Sequence, residues 1–490
     1  MTKKRNDAAP PIGPERIAPT TIPIHHKENA TAIPINPPRR RIDRRIATTP
    51  PGRGARRRED DEGALVTSSS YDVHRSEVGH RWSTSHQLTV LAAVFWLCVL
   101  MNEGWVWGRL AQPVIGECGG VAEITTDPKA SMNGISVVLA YNGHRYQVNA
   151  YGSPAWRLSR RLAGERIRFH GTCGPLTGRF ARTARIAHVI GRIDLQYISE
   201  GFSEGSGIVR AANRMRRAMV RGVDGMSPAI RSLFTGLVIG DDRAQPREMI
   251  NDFRASGLSH LTAVSGQNVS YLLIVVSPIL KRLSKAWTFV ATIVVLAWFV
   301  VLTRAEPSVL RAAFMALVVA FNSYIGRPQN ARAVLALTVI GLLVIDPLLA
   351  WSVGFALSVG ATAGLAWFSA RITKMVGGRE VLAATLAAQL GTAPISLAVF
   401  GSMPIVALVA NPLVIGIAGF VMMAGLPLAL IAGLAPPLVP LVSAFFAVPV
   451  SYVAHVAHVA ATLSPPPIAN ALAWVLVIAA MWHWHRQSVQ

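Results

Sequence analysis

Residues 381–485 contain no aspartate, glutamate, lysine or arginine. A water-facing surface of that length is not built without charge, so this part of the chain reads as packed membrane helices. Cysteine is scarce, with Cys98, Cys118 and Cys173 the whole complement. Lysine is scarce too: the seven present include none in a Gly-x-x-x-x-Gly-Lys-Ser/Thr loop, which excludes the usual phosphate cradle of an ATPase. No internal repeat is apparent, and that counts against a transporter assembled from duplicated halves.

What is present fits the membrane class. Hydrophobic residues make up 51% of the chain and charged residues 15%, with a net charge of +22, the composition of an integral membrane protein with basic flanks. The expected fold is a polytopic α-helical membrane protein of about ten transmembrane helices, with an extracellular OB-like β-barrel between the first and second spans. Residues 1–81 read as a disordered basic cytoplasmic tail, rich in Pro, Arg and Thr. Residues 82–110 hold the first span, Leu88 to Trp107.

Residues 111–200 change to short alternating segments: a strand, a hairpin turning at Asn142 and Gly143, a helix, then two strands. Arg157, Arg160, Arg161, Arg166 and Arg168, with Tyr141, Tyr146, Tyr151, Trp156 and Phe169 nearby, suit a groove that stacks bases and screens phosphates. The competing reading is a scaffold barrel with half of those aromatics in its core. One membrane crossing puts the barrel outside, where disulfides persist, and predicts a Cys118–Cys173 bridge.

In 201–256, Arg210, Arg214, Arg217 and Arg221 share one helical face, and Ile208, Ala211, Met215 and Met219 another. That pattern predicts a cationic helix lying in the membrane surface, followed by two short helices. Residues 257–490 form the polytopic domain, with helices expected near 257–280, 286–303, 308–326, 332–345, 349–370, 381–400, 405–433, 438–462 and 469–484. Alternation places Lys281, Arg282, Lys285, Arg327, Arg332, Arg371, Lys374, Arg379 and Arg486 on one side. This asymmetry predicts a multi-pass plasma-membrane protein with both termini cytoplasmic.

Two stretches interrupt the apolar pattern. "GLSHLTAVSGQNVSYLL", residues 257–273, puts His260, Ser265, Gln267 and Asn268 in a run that lacks formal charge. Such a stripe either lines a wet conduit or hydrogen-bonds helix to helix. "TRAEPSVLR", residues 303–311, is the one outside loop with basic residues. There Glu306 is expected to neutralise one of Arg304 and Arg311, while the other faces a water-filled mouth able to bind phosphate; the alternative is that both anchor helix ends to lipid phosphate. Ser265 with His455 or His458 superficially matches an intramembrane serine protease. His455 and His458 lie three apart, but no carboxylate or cysteine sits nearby in sequence, and no metal site is expected.

The segments "LFTGLVIGDDRAQPREMINDFRASGLSHLTAVSGQNVSYLL", "RAAFMALVVAFNSYIGRPQNARAVLALTVIGLLVIDPLLAWSVGFALSVGATAGL" and "AAQLGTAPISLAVFGSMPIVALVANPLVIG" together resemble the competence domain of ComEC-type DNA-internalisation channels. The likeness covers roughly residues 110–435. It implies passage of single-stranded DNA to the cytoplasm during transformation, with no enzyme activity and no cofactor. Ser265 to Ser270 departs from the Ser-Gly-x-His-Val-Gly of many relatives. Many also carry a metallo-β-lactamase-like domain; no His-x-His-x-Asp-His cluster occurs here, so a separate nuclease is expected. Driving phosphates against a negative-inside potential costs about 2.3 kcal/mol per charge per 100 mV. A cytoplasmic ATPase motor or single-strand-binding protein is therefore expected, with an external DNA receptor and membrane lipid as further partners. A small-molecule or lipid transporter is the main alternative.

Overall fold

A computed structural model describes residues 112–131, 134–178, 181–262 and 266–489. The tail, the first span and Ser265 lie outside the described residues.

Alternating side chains build the barrel. Strand β1 (Gly116–Ile124), the two-residue β2 (Lys129–Ala130), β3 (Ile135–Tyr141) and β4 (His144–Ala150) precede helix α1 (Gly152–Ser159), and β5 (Arg166–Pro175), helix α2 (Ala181–Ile186) and β6 (Val189–Ser203) follow. Every second residue turns inward: Val137 and Leu139 from β3, Tyr146 and Val148 from β4, Ile167 and Phe169 from β5 are buried. Asn142 and Gly143 both take positive φ, +50° and +79°, as a two-residue hairpin joining β3 to β4 requires. The sheet runs β1-β5-β6-β4-β3 and returns to β1, a closed barrel of five strands with β2 added at the margin of β3. One pairing, β4 with β6, is parallel. Cys118 of β1 and Cys173 of β5 are disulfide-bonded, with Cα atoms 5.8 Å apart, and both are buried in the barrel core.

The helical part begins with α3 (Gly207–Gly222), α4 (Pro228–Ile239), α5 (Arg247–Ala255) and α6 (Ser259–Thr262). Helices α7 (Gly266–Leu280), α8 (Lys285–Leu302), α9 (Pro307–Tyr324), α10 (Ala331–Ile345), α11 (Val353–Met375), α12 (Glu380–Phe400), α13 (Ala407–Leu434), α14 (Val439–Thr462) and α15 (Pro467–Val489) complete it. Among the described residues six helices, α8, α9 and α11 to α14, are long and apolar enough to cross a membrane. The nine expected segments each contain a helix, but α7 and α10 have 15 residues apiece, about 22 Å at 1.5 Å per residue and short of a full hydrocarbon core.

Helix α3 is packed into the bundle along one face: Ala212, Met219 and Gly222 are buried, and the helix lies against α13. Gly222 meets the Ala429 carbonyl and Gly433 the Ala218 carbonyl, so close that neither glycine has room for a Cβ. Helix α4 is central to the helical core. It starts at Pro228 behind Ser227, stops at Gly240 in the left-handed conformation, and puts Leu233, Phe234 and Leu237 at the centre of the main core beside Val414, Val421 and Phe446. Within 257–273 the described residues hold α6 and the start of α7, and residues 263–265 between them lie outside the described residues.

Candidate functional site

Barrel and helices meet through a buried ionic network. Asp127, in the turn after β1, is 9% exposed. Its Oδ1 accepts from the Ala163 amide at 2.8 Å and from Arg304 Nη2 at 3.2 Å; its Oδ2 accepts from Arg216 Nη2 at 3.0 Å and Arg304 Nε at 3.3 Å. Arg216 of α3, only 3% exposed, also reaches Asp241 at 3.1 Å and donates to the Leu302 carbonyl at 2.9 Å. Arg243 grips Asp241 in a fork at 2.7 and 2.6 Å. Asn213 closes the ring, donating to the Ala163 carbonyl at 3.1 Å and accepting from Arg304 Nη2 at 2.6 Å.

The charges set one another. Burial alone raises the Asp127 carboxyl, but Arg216, Arg304 and Arg243 together hold it well below the usual carboxylate range. Asp241 is also lowered, burial being outweighed by Arg243 and Arg216. Glu165, beside the network and bonded to Arg217, goes the other way: burial raises it despite a backbone hydrogen bond at Leu162 and the Arg217 charge. Arg304 and Ala305 both have positive φ, +62° and +53°, a left-handed bend that non-glycine residues keep only where surroundings enforce it. The three side-chain bonds of Arg304 supply that enforcement. A cavity of about 300 Å³ opens beside the network, lined by Lys129, Gln147, Asp242, Arg304 and Glu306 among others.

The expected pairing of Glu306 with an arginine is therefore wrong. Arg304 is neutralised by Asp127, a residue 177 positions away, and Glu306 sits at the start of α9 where burial raises its carboxyl. Arg311 does not line an open mouth. It is 7% exposed and donates from Nε to Ser358 Oγ at 2.6 Å, and from Nη1 to Thr362 Oγ1 at 2.8 Å and Met315 Sδ at 3.1 Å.

In the polar stretch, His260 is exposed and Gln267 half-buried. Asn268 is buried and donates to the Leu237 carbonyl at 2.8 Å, satisfying the otherwise open end of α4. This is helix-to-helix hydrogen bonding. His458 pairs with Asp252 at 2.9 Å, a carboxylate 206 residues away that sequence distance concealed.

Four of the five barrel arginines have partners on the barrel itself. Arg157 reaches Glu200 at 3.0 Å, Arg160 stacks over Trp156 at 3.9 Å, Arg161 over Phe202 at 3.8 Å, and Arg166 meets Glu123 at 3.2 Å. Arg168 is exposed on β5, opposite Val121, with exposed Tyr197 paired to the next outward residue, His170. Tyr146 and Phe169 are core; Tyr151 and Trp156 are exposed. Asp127, Arg216, Asp241, Arg243, Ser358 and Thr362 were not singled out from sequence. The Asp-Asp-Arg run at 241–243 was the available signal.

Comparison with known proteins adds the rest. No solved structure matches. ComE operon protein 3 of Bacillus subtilis (strain 168) is 28% identical over 205 residues, which cover 41% of this chain and 26% of that protein, so the matched segment spans about a quarter of the relative's length. The family model described as Competence protein matches residues 237–487, the segment from the end of α4 through α15, and the chain belongs to the competence protein family.

Proposed function

We propose that this chain is a cell-membrane channel through which single-stranded DNA enters the cytoplasm during natural transformation. The observation that carries the reading is coincidence: the family match, residues 237–487, falls on the helical segment that contains all six span-length helices. In this reading α7 and α10 complete the bundle, the barrel is an OB-like domain on the outer side, and both termini are cytoplasmic. The disulfide supports that side, since such bonds persist in oxidising compartments. Arg168, with Tyr197 and His170 beside it, is the barrel's best-placed DNA contact, because among the described residues it has neither the carboxylate that answers Arg157 and Arg166 nor the ring that covers Arg160 and Arg161. No step of bond-making is assigned to the chain. Its partners would be a receptor delivering DNA, a nuclease leaving one strand, and a cytoplasmic motor or single-strand-binding protein drawing that strand inward.

The test is uptake of labelled DNA by cells with and without the gene. Deletion is expected to abolish nuclease-protected label while leaving surface-bound label in place. Equal protected label in both strains would sink the reading.

A further inference from the structure

Among the described residues Arg311 is the one buried charge within a span-length helix. A guanidinium carries five N–H donors and does not give up its proton. Three donors are taken, by Ser358, Thr362 and Met315. The two on Nη2 have no acceptor among the described residues, and all three partners are neutral. Nη2 lies against Gly266, where an added Cβ would come within 2.8 Å. Arg311 is also only one turn into α9, which starts at Pro307, so the positive end of that helix adds to the charge.

A buried cation answered only by hydroxyls and a thioether calls for an anion. Arg304 shows the contrast within the same protein, for Asp127 neutralises it. Ser358 and Thr362, one turn apart on α11, orient the guanidinium plane and leave its charge uncancelled. Glycine at 266 leaves the room that Nη2 occupies, which a Cβ there would crowd.

We infer that Arg311 is a phosphate station inside the helical segment: Nη2 donates to a non-bridging oxygen of one phosphodiester group of the passing strand. Ser358 and Thr362 are positioning residues. A single monoanion held by one nitrogen binds weakly enough to be released, as conduction requires. The inference rests on the uptake reading above.

The experiment compares internalisation of an ordinary single strand with one carrying a central block of uncharged methylphosphonate linkages. Cells carry wild-type protein, Arg311→Gln, Arg311→Lys or the Ser358→Ala, Thr362→Val pair, each matched for membrane abundance. Wild type is expected to favour the ordinary strand. Arg311→Gln is expected to lower its uptake roughly 10-fold, as for loss of a charge-assisted hydrogen bond, and to bring the ratio of the two strands toward one. Arg311→Lys and the hydroxyl pair should fall between, since a lysine keeps charge without the fork.

An unchanged ratio in Arg311→Gln, whether uptake is normal or reduced for both strands alike, overturns the station and leaves Arg311 a structural tie. If Arg311→Gln fails to reach the membrane, the hydroxyl pair decides by the same ratio. Failure of the uptake reading is separate: cells lacking the gene would then internalise the ordinary strand as well as wild type.

Discussion

Asp127 and Arg216 show what long-range pairing does to a residue's role. Removing one member of a buried pair strands the other's charge, at a cost of about 3–5 kcal/mol. Asp127→Asn should therefore lower the melting temperature of the detergent-solubilised protein far more than Asp346→Asn. The Asp346 partner, His188 at 3.0 Å, is more than a third exposed, and such pairs contribute about 0–1 kcal/mol. Equal shifts in the two variants would refute the ranking. The pH dependence follows from direction. A carboxyl held below its unfolded value stabilises the fold fully above about pH 5, and that contribution is lost as pH falls through about 4 toward the folded value. Acid melting curves of wild type should thus fall toward those of Asp127→Asn as pH drops; a constant gap down to pH 3 would contradict this.

The elements differ in how openly the sequence declares them. Helix ends in 285–462 followed from charge, because Lys285, Arg332 and Glu380 stand at or near the first residues of α8, α10 and α12, and the strands followed from period-two alternation with Asn142 and Gly143 at the turn. Helix α3 misled because its arginines look solvent-bound in sequence. Arg216 is buried because its acids, Asp127 and Asp241, arrive from 89 residues before it and from the end of α4, and no local pattern carries that information. The α3–α13 contact was equally hidden, since Gly222 and Gly433 are 211 positions apart. Gly433→Leu is expected to destabilise the protein by about 1–3 kcal/mol or more, as overpacking does, read as a lower melting temperature; no change would mean that the helices do not pack closely there. The disulfide closes a separation of 55 residues, worth about 4 kcal/mol in the loop-entropy model. The Cys118→Ser, Cys173→Ser variant and the reduced wild type should therefore show the same loss of barrel stability, and a reductant effect persisting in the variant would point elsewhere.

At the level of the molecule, the barrel is tied to the helices by the Asp127 network, by Lys129 with Asp242 and Arg247 with the Ser131 carbonyl, each at 3.0 Å, and by the contacts of His188 with Asp346 and Arg182 over Trp351 at 5.3 Å. Arg311 lies one turn of α9 beyond the loop that carries Arg304. Transport of a polyanion is tested most directly with purified protein in vesicles, where an inside-positive potential replaces the motor: each phosphate crossing the field gains about 2.3 kcal/mol per 100 mV. Fluorescent single-stranded DNA added outside should become nuclease-protected in proportion to that potential in vesicles containing the protein, and much less with Arg311→Gln. Protection no greater than in protein-free vesicles at the same potential would contradict passage of DNA through this chain.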